Sequence, residues 1–417
     1  MGFGRGLFRR RESASRDAIF GKWAVDILRA FPEVVSAEFD ASEFHVDVVY
    51  ADGAIQQYGL QTPYRLAVGL DGEEAVQLLA EYLRRAVTSR TVMTEPVAGW
   101  VSAAPTLRSV LRPAGDLTLE FQGKRIGDHM LWRPLLPCLT ERVVIDLPTS
   151  MRTVSPDDLV EWGVDADTVF ATARANMIDF AVETVSLFDT EDGVLFLPDD
   201  DGDLYAGSLP LVDGWLAGLG NKAGAQPLFF VPGSFGVLAG VASSPERVCE
   251  LVAAAREMFD NAVRPVSPAP YTVDEQGRLV PFTVPIDHPA WAAIRSAEAA
   301  LAAPVHAAQY QGMQADTEAG RLDLFVAELL HVRAENGIEE TVAAWTDTVP
   351  TLLPRAHVVS MVDPTTASLF GVPWEVLDRE VGLRAVPGLF PPRFLVEHHP
   401  DQATLARLRA AGRWGTG

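Results

Sequence analysis

The chain has 417 residues, enough for two or three domains at about 100 to 200 residues each. Apolar residues make up 48% and charged ones 22%, a balance that excludes a disordered chain. Against 34 basic side chains stand 56 acidic ones, a net charge of -22, so nucleic-acid binding by counterion release would need a local basic patch, and the folded part of the sequence has none.

Like charges cluster only at the N-terminus, where Arg5, Arg9, Arg10 and Arg11 interleave with Phe3, Leu7 and Phe8. RESASRD follows instead of an apolar segment, which speaks against a secretory leader. Residues 1–17 are therefore expected to be a flexible basic tail; weak peripheral contact with acidic lipid through Arg9, Arg10 and Arg11 is the competing reading. No apolar run approaches the roughly 18 residues of a membrane span, so a cytoplasmic protein is expected. Cys138 and Cys249 are far apart and embedded in apolar sequence, which suits two buried thiols better than a disulfide or a zinc site.

Residues 18–95 read as a small α/β unit. A helix is expected from Ala18 to Phe31, then two alternating strands turning at Asp52-Gly53, where positive φ is required. A second helix is opened by Asp71 and carries Ala75, Val76, Leu79, Leu83 and Val87 on one face. Residues 96–285 form the largest segment, a central α+β domain. A strand Val143–Leu147 precedes a helix capped by Ser155, with Pro156 in its first turn and Asp157 and Asp158 facing the positive dipole end. Another helix follows Asp165. LFFVPGSFGVLAGVA predicts two strands about a turn, and Ser243 or Ser244 caps the helix beginning at Pro245.

The runs LRSVLRPAGD, VVIDLPTSMRTVSPDDLVEWGVDADTVFATARANM and LFFVPGSFGVLAG together resemble the bacterial family of unknown function typified by the YtpQ protein. Arg112, Asp146, Pro148, Ala175, Asn176 and Pro232 carry the resemblance, which covers the central segment only and departs at Met177 and Gly233-Ser234. The resemblance implies a fold neighbourhood and a bacterial setting, and it implies no activity or cofactor.

Prolines crowd the stretch from Pro265 to Pro289, which is expected to be extended and to mark a domain boundary. Residues 286–417 then form a C-terminal α+β domain. Its expected elements are a helix Trp291–Ala302, alternating strands in VHAAQYQGM and RLDLFVAELLHVRA, and short strands in HVVSMVD and RFLVEHH. The fold class expected for the whole is α+β, mixed or antiparallel sheets flanked by helices.

Chemical motifs are sparse. GVLFLPDDDGDLYAG brings Asp199, Asp201 and Asp203 around Gly202, a pattern that suggests a calcium loop. Neither alignment with an EF-hand keeps its glycine and its carboxylates together, so a hairpin tip is the simpler account. Ser234 in PGSFG lacks the glycine and the following helix of a nucleophile elbow. Glu397 and His399 share a strand face but lack further ligands, and neither His129 nor His288 has an evident orienting partner. No phosphate-binding glycine loop is present and no cofactor is implied.

Two functions fit this pattern. The first is a non-catalytic protein that binds a protein or peptide, anchored by aromatics such as Trp215, Phe235, Trp374, Phe390 and Phe394. The second is a hydrolase, metal-assisted or not, whose site forms only in the fold. A cleft holding two or more of Asp146, His129, Asp199 and His399 would favour the hydrolase, and a cleft lined only with apolar side chains, or a flat exposed patch, would favour binding.

Overall fold

The computed structural model of the protein describes residues 4–42, 44–93, 99–121, 124–147, 150–198, 204–234, 236–333, 337–347, 349–363 and 367–412. Contacts divide the chain into two compact units, residues 1–98 with 147–152, and residues 99–146 with 153–417. The architecture is α+β, with antiparallel and mixed sheets.

The first unit holds an antiparallel sheet of Val34–Asp40, His45–Tyr50 and Ile55–Gly59. Gly53 supplies the positive φ (82°) of the expected turn. Asp71 opens the helix Gly72–Met93 by accepting the N–H groups of Glu73 and Glu74, each at 2.9 Å. Leu79 and Leu83 join Leu28, Val46 and Val48 in the core. The first helix spans Gly4–Arg29, so its backbone is helical well ahead of the expected start at Ala18. No proline interrupts that segment. The side chains of Arg9, Arg10 and Arg11 lie outside the described residues.

In the second unit, Leu107–Pro113, Leu139–Leu147 and Trp132–Leu136 form an antiparallel sheet. Within it Glu141 is fully buried and bound by Arg133 and Arg174 at 2.7 Å and by Ser109 at 2.8 Å. Burial alone would raise its pKa; the guanidiniums of Arg174 and Arg133 overcome that and hold the carboxyl below its ordinary value. The expected caps form. Ser155 and Asp158 make a reciprocal capping box on Pro156–Trp162, Asp165 caps Ala166–Ala175, and Ser244 caps Pro245–Asn261.

A five-stranded antiparallel sheet follows, ordered Val194–Pro198, Gly236–Val241, Pro227–Gly233, Pro265–Val273, Leu279–Pro281. The proline-rich stretch expected to be a boundary thus supplies an internal strand. Pro268 and Pro270 are tolerated because a register shift interrupts one flank, while on the other flank pairing begins only at Tyr271. The expected hairpin about Asp199–Asp203 is also corrected. Val194–Pro198 pairs with Gly236–Val241, and Ala206–Leu211 forms a 3-10 turn. Asp199, Asp201 and Asp203 themselves lie outside the described residues.

Trp291–Glu318 is one continuous helix, so VHAAQYQGM is helical where strands were expected. Its alternation misled because Val305, His306, Gln309 and Met313, all buried, also fit a three-to-four spacing. Pro304 takes an exposed position on this helix. The helix packs on Pro265–Val273 and on Glu339–Trp345, strands from both sides of position 285. Residues 286–417 therefore share a compact unit with residues 99–285 apart from 147–152. Beyond the helix lie a mixed four-stranded sheet, Leu330–Arg333, Glu339–Trp345, Val358–Val362 and Leu369–Pro373, and a three-stranded one of Phe325–Val326, Thr351–Pro354 and Arg393–Val396.

The long helix approaches the 114–118 segment closely. A Cβ on Gly312 would stand 2.5 Å from the Thr118 carbonyl oxygen, a backbone atom that cannot swing aside. Alanine stabilises an ordinary helix interior by roughly 1 kcal/mol relative to glycine. Here the sign reverses: Gly312→Ala is expected to lower stability by about 1–3 kcal/mol in urea unfolding. A raised midpoint would contradict the close approach.

Candidate functional site

The long helix turns one face toward an open cleft of about 780 Å³. Trp291, Ile294, Arg295, Glu298, Leu301 and His306 line it, positions that fall along one stripe of a helix. The facing wall comes from the turn Pro134–Cys138, from Ala269–Tyr271 and from Phe390–Pro392. Thr341, Arg355, His357 and Glu375 close the remaining side. All belong to the second unit. A volume between 300 and 1,000 Å³, walls of apolar and aromatic side chains, and a few placed polar groups are the usual form of a small-ligand site.

Six wall positions are prolines, Pro134, Pro137, Pro270, Pro281, Pro391 and Pro392. They supply no backbone N–H, so the cleft is a poor template for an added β-strand. The 390–392 wall is held from behind. Gln309 donates to the Pro391 carbonyl at 2.7 Å and accepts from Arg393 Nε at 2.7 Å, while Arg393 Nη1 also donates to the Ala327 and Leu352 carbonyls. Arg393 is fully buried, and burial pushes its pKa down to about 10, still charged at neutral pH.

Several of the polar groups are already engaged. His357 Nδ1 accepts the Thr341 N–H at 3.1 Å, which places the proton of the neutral ring on Nε2, and Nε2 then donates to Glu298 at 3.3 Å. Arg295 is paired with Glu340 at 3.2 Å, donates to the His357 carbonyl at 3.3 Å and stacks 5.1 Å from the Trp291 ring centre. Both ring nitrogens of His357 are thus occupied. Cys138 lies in the cleft wall, but burial pushes its thiol up to about 12, so the thiolate is scarce at neutral pH.

His306 differs. It is 2% exposed, and its Nδ1 has no hydrogen-bond partner. Burial, aided by the positive charge of Arg393 and opposed by a hydrogen bond to Gln309, lowers its pKa to about 3. Arg355 and Glu375, both exposed at the mouth, make no hydrogen bond or ion pair among the described residues.

The residues singled out in the sequence do not converge here. Asp146 accepts the Tyr205 hydroxyl at 2.9 Å and lies 3.8 Å from Arg108. His129 belongs to a charged surface hollow with Lys124, Arg125, Asp316 and Arg321. His399 Nε2 bonds the Trp345 carbonyl at 3.0 Å, with its ring edge-on to that indole. His288 accepts the Ala290 N–H at 3.1 Å. Among the described residues, no three His, Cys, Asp or Glu side chains gather as a metal site. Of the proposed aromatic anchors, Trp215 and Trp374 are core residues and Phe394 stacks on Trp374 at 4.9 Å. Phe390 lines the cleft, and Phe235 lies outside the described residues. Both cysteines are free, Cys138 buried and Cys249 half-buried.

Among the described residues no helix is long and apolar enough to cross a membrane. No family model, curated protein or solved structure matches the chain.

The neutral His306 links the cleft to pH. Unfolded, this imidazole binds a proton near its ordinary 6.5; folded, it refuses one until about 3. Between those values the unfolded state holds more protons, so stability falls as pH falls through that window. Urea unfolding from pH 7 to 5 is expected to show a decline that His306→Gln reduces; an unchanged slope in the variant would contradict it.

Proposed function

We propose that this chain is a non-catalytic binding protein and that the apolar cleft beside the long helix is its recognition site. One observation carries the reading: an open cleft of about 780 Å³ walled by prolines and apolar side chains, with its wall fixed by the buried Arg393–Gln309 pair. A rigid apolar recess binds without first ordering itself, which reduces the entropy lost on association. The occupied His357 nitrogens and the suppressed Cys138 thiolate support binding over nucleophilic or general-base chemistry. A short peptide or another compact apolar ligand suits the cleft. The resemblance to the YtpQ-type family, which implies no activity, is compatible with this reading.

The test is binding of a neutral apolar fluorophore, N-phenyl-1-naphthylamine, to the full chain. The wild type is expected to bind it saturably with enhanced emission. Ala302→Trp, which fills the cleft from the long helix, is expected to abolish the enhancement while circular dichroism stays unchanged. Equal emission from both proteins would mean that the fluorophore binds elsewhere and would remove this support.

A further inference from the structure

We infer that Arg112 and Arg264 form a second site, apart from the cleft, that binds the dianion of a phosphoryl group. Arg108, Val110 and Arg112 alternate onto one face of the strand Leu107–Pro113, and pairing with Leu139–Leu147 sets Arg142 opposite Val110 and Thr140 opposite Arg112. Three arginines thus share one sheet face. Two of them meet a carboxylate: Arg142 meets Asp116 at 2.8 Å through Nη1, and Arg108 lies 3.8 Å from Asp146. Arg112 has no carboxylate partner among the described residues; its Nη1 donates to the Leu111 carbonyl at 2.8 Å.

The neighbouring cation is fixed in place, because Arg142 Nε donates to the Thr140 hydroxyl at 3.1 Å and Nη2 to the Pro113 carbonyl at 2.9 Å. A further positive charge comes from Arg264, which immediately precedes the strand Pro265–Val273, and that strand packs on Leu107–Pro113. The Arg264 side chain is exposed and makes no hydrogen bond or ion pair among the described residues. Burial, and then the charges of Arg142 and Arg264, push the Arg112 pKa down to about 10, so it stays charged at neutral pH. Arg112 is half-buried, and its Nε and Nη2, without partners among the described residues, are not sealed from solvent. Two uncommitted guanidiniums call for two negative charges, and a guanidinium matches phosphate oxygens bidentately. A carboxylate brings one charge and leaves the other cation unmet. None of these residues lines the apolar cleft, so the site stands independently of the binding reading.

Calorimetric titration of the full chain, at pH 8 and constant ionic strength, tests this with inorganic phosphate, methyl phosphate, dimethyl phosphate and acetate. Inorganic phosphate is expected to bind saturably and about tenfold tighter than dimethyl phosphate or acetate, each of which carries a single charge. Methyl phosphate binding as tightly as inorganic phosphate would make the ligand a phosphate monoester; weaker binding would make it free phosphate. Arg112→Gln is expected to weaken phosphate about tenfold, and Arg264→Gln about fivefold. Arg264 is exposed, so Arg264→Gln keeps the fold and decides the question by itself if Arg112→Gln disturbs it. Absence of phosphate binding, or an affinity unchanged in either folded variant, would overturn the site. Acetate or dimethyl phosphate binding as tightly as phosphate would overturn the dianion assignment.

Discussion

The second unit depends on one constraint: a single helix, Trp291–Glu318, must satisfy several cores at once. Ile294 packs with Leu228 and Phe230 under the five-stranded sheet, Leu301 and Val305 enter the core that includes Leu136 and Tyr271, and Met313 packs with Val326 and Leu352. A helix that faces different layers along its length cannot carry one simple apolar stripe, and its glycine at 312 is dictated by the Thr118 carbonyl and not by helical preference. Where the layers on its two sides do not meet, its remaining face is left lining a cleft. The cleft is a by-product of that geometry and is held open by it.

Polar groups around the cleft divide by their state of satisfaction. Arg393, fully buried, spends its hydrogen bonds on Gln309 and two backbone carbonyls, and through Gln309 it anchors the 390–392 wall. Its charge also helps to keep His306 neutral. His357 and Glu298 satisfy one another. The charged lining residues left over, Arg355 and Glu375, are exposed. Of the wall's titratable groups, His357 and Glu298 are engaged with one another and burial keeps the Cys138 thiol protonated.

Local rules were readable in the sequence wherever a single side chain decides the outcome. The caps at Ser155, Asp165 and Ser244, the turn at Gly53 and the two strands flanking Gly233-Ser234 all form as expected. Reading failed where tertiary context overrides local pattern. Proline density suggested a linker, yet a register shift and a half-paired edge accommodate Pro265–Val273 inside a sheet. VHAAQYQGM fits both periods, and only packing chooses the helix. The cleft was invisible for the same reason. Cys138, Tyr271, His306, Arg355 and Glu375 come from five separate segments, and no spacing rule connects them. Asp146, His129 and His399 attracted notice by their type, and the fold gives each a local partner or a separate surface.

The central claim, that this cleft is a preformed binding site, is tested most directly by methyl NMR of the full chain during titration with a mixture of short apolar peptides. Saturable shifts confined to the methyls of Leu136, Ile294 and Leu301, with the rest of the spectrum unmoved, are the result this account predicts. Shifts that cluster on another surface, with these three methyls silent, would contradict it.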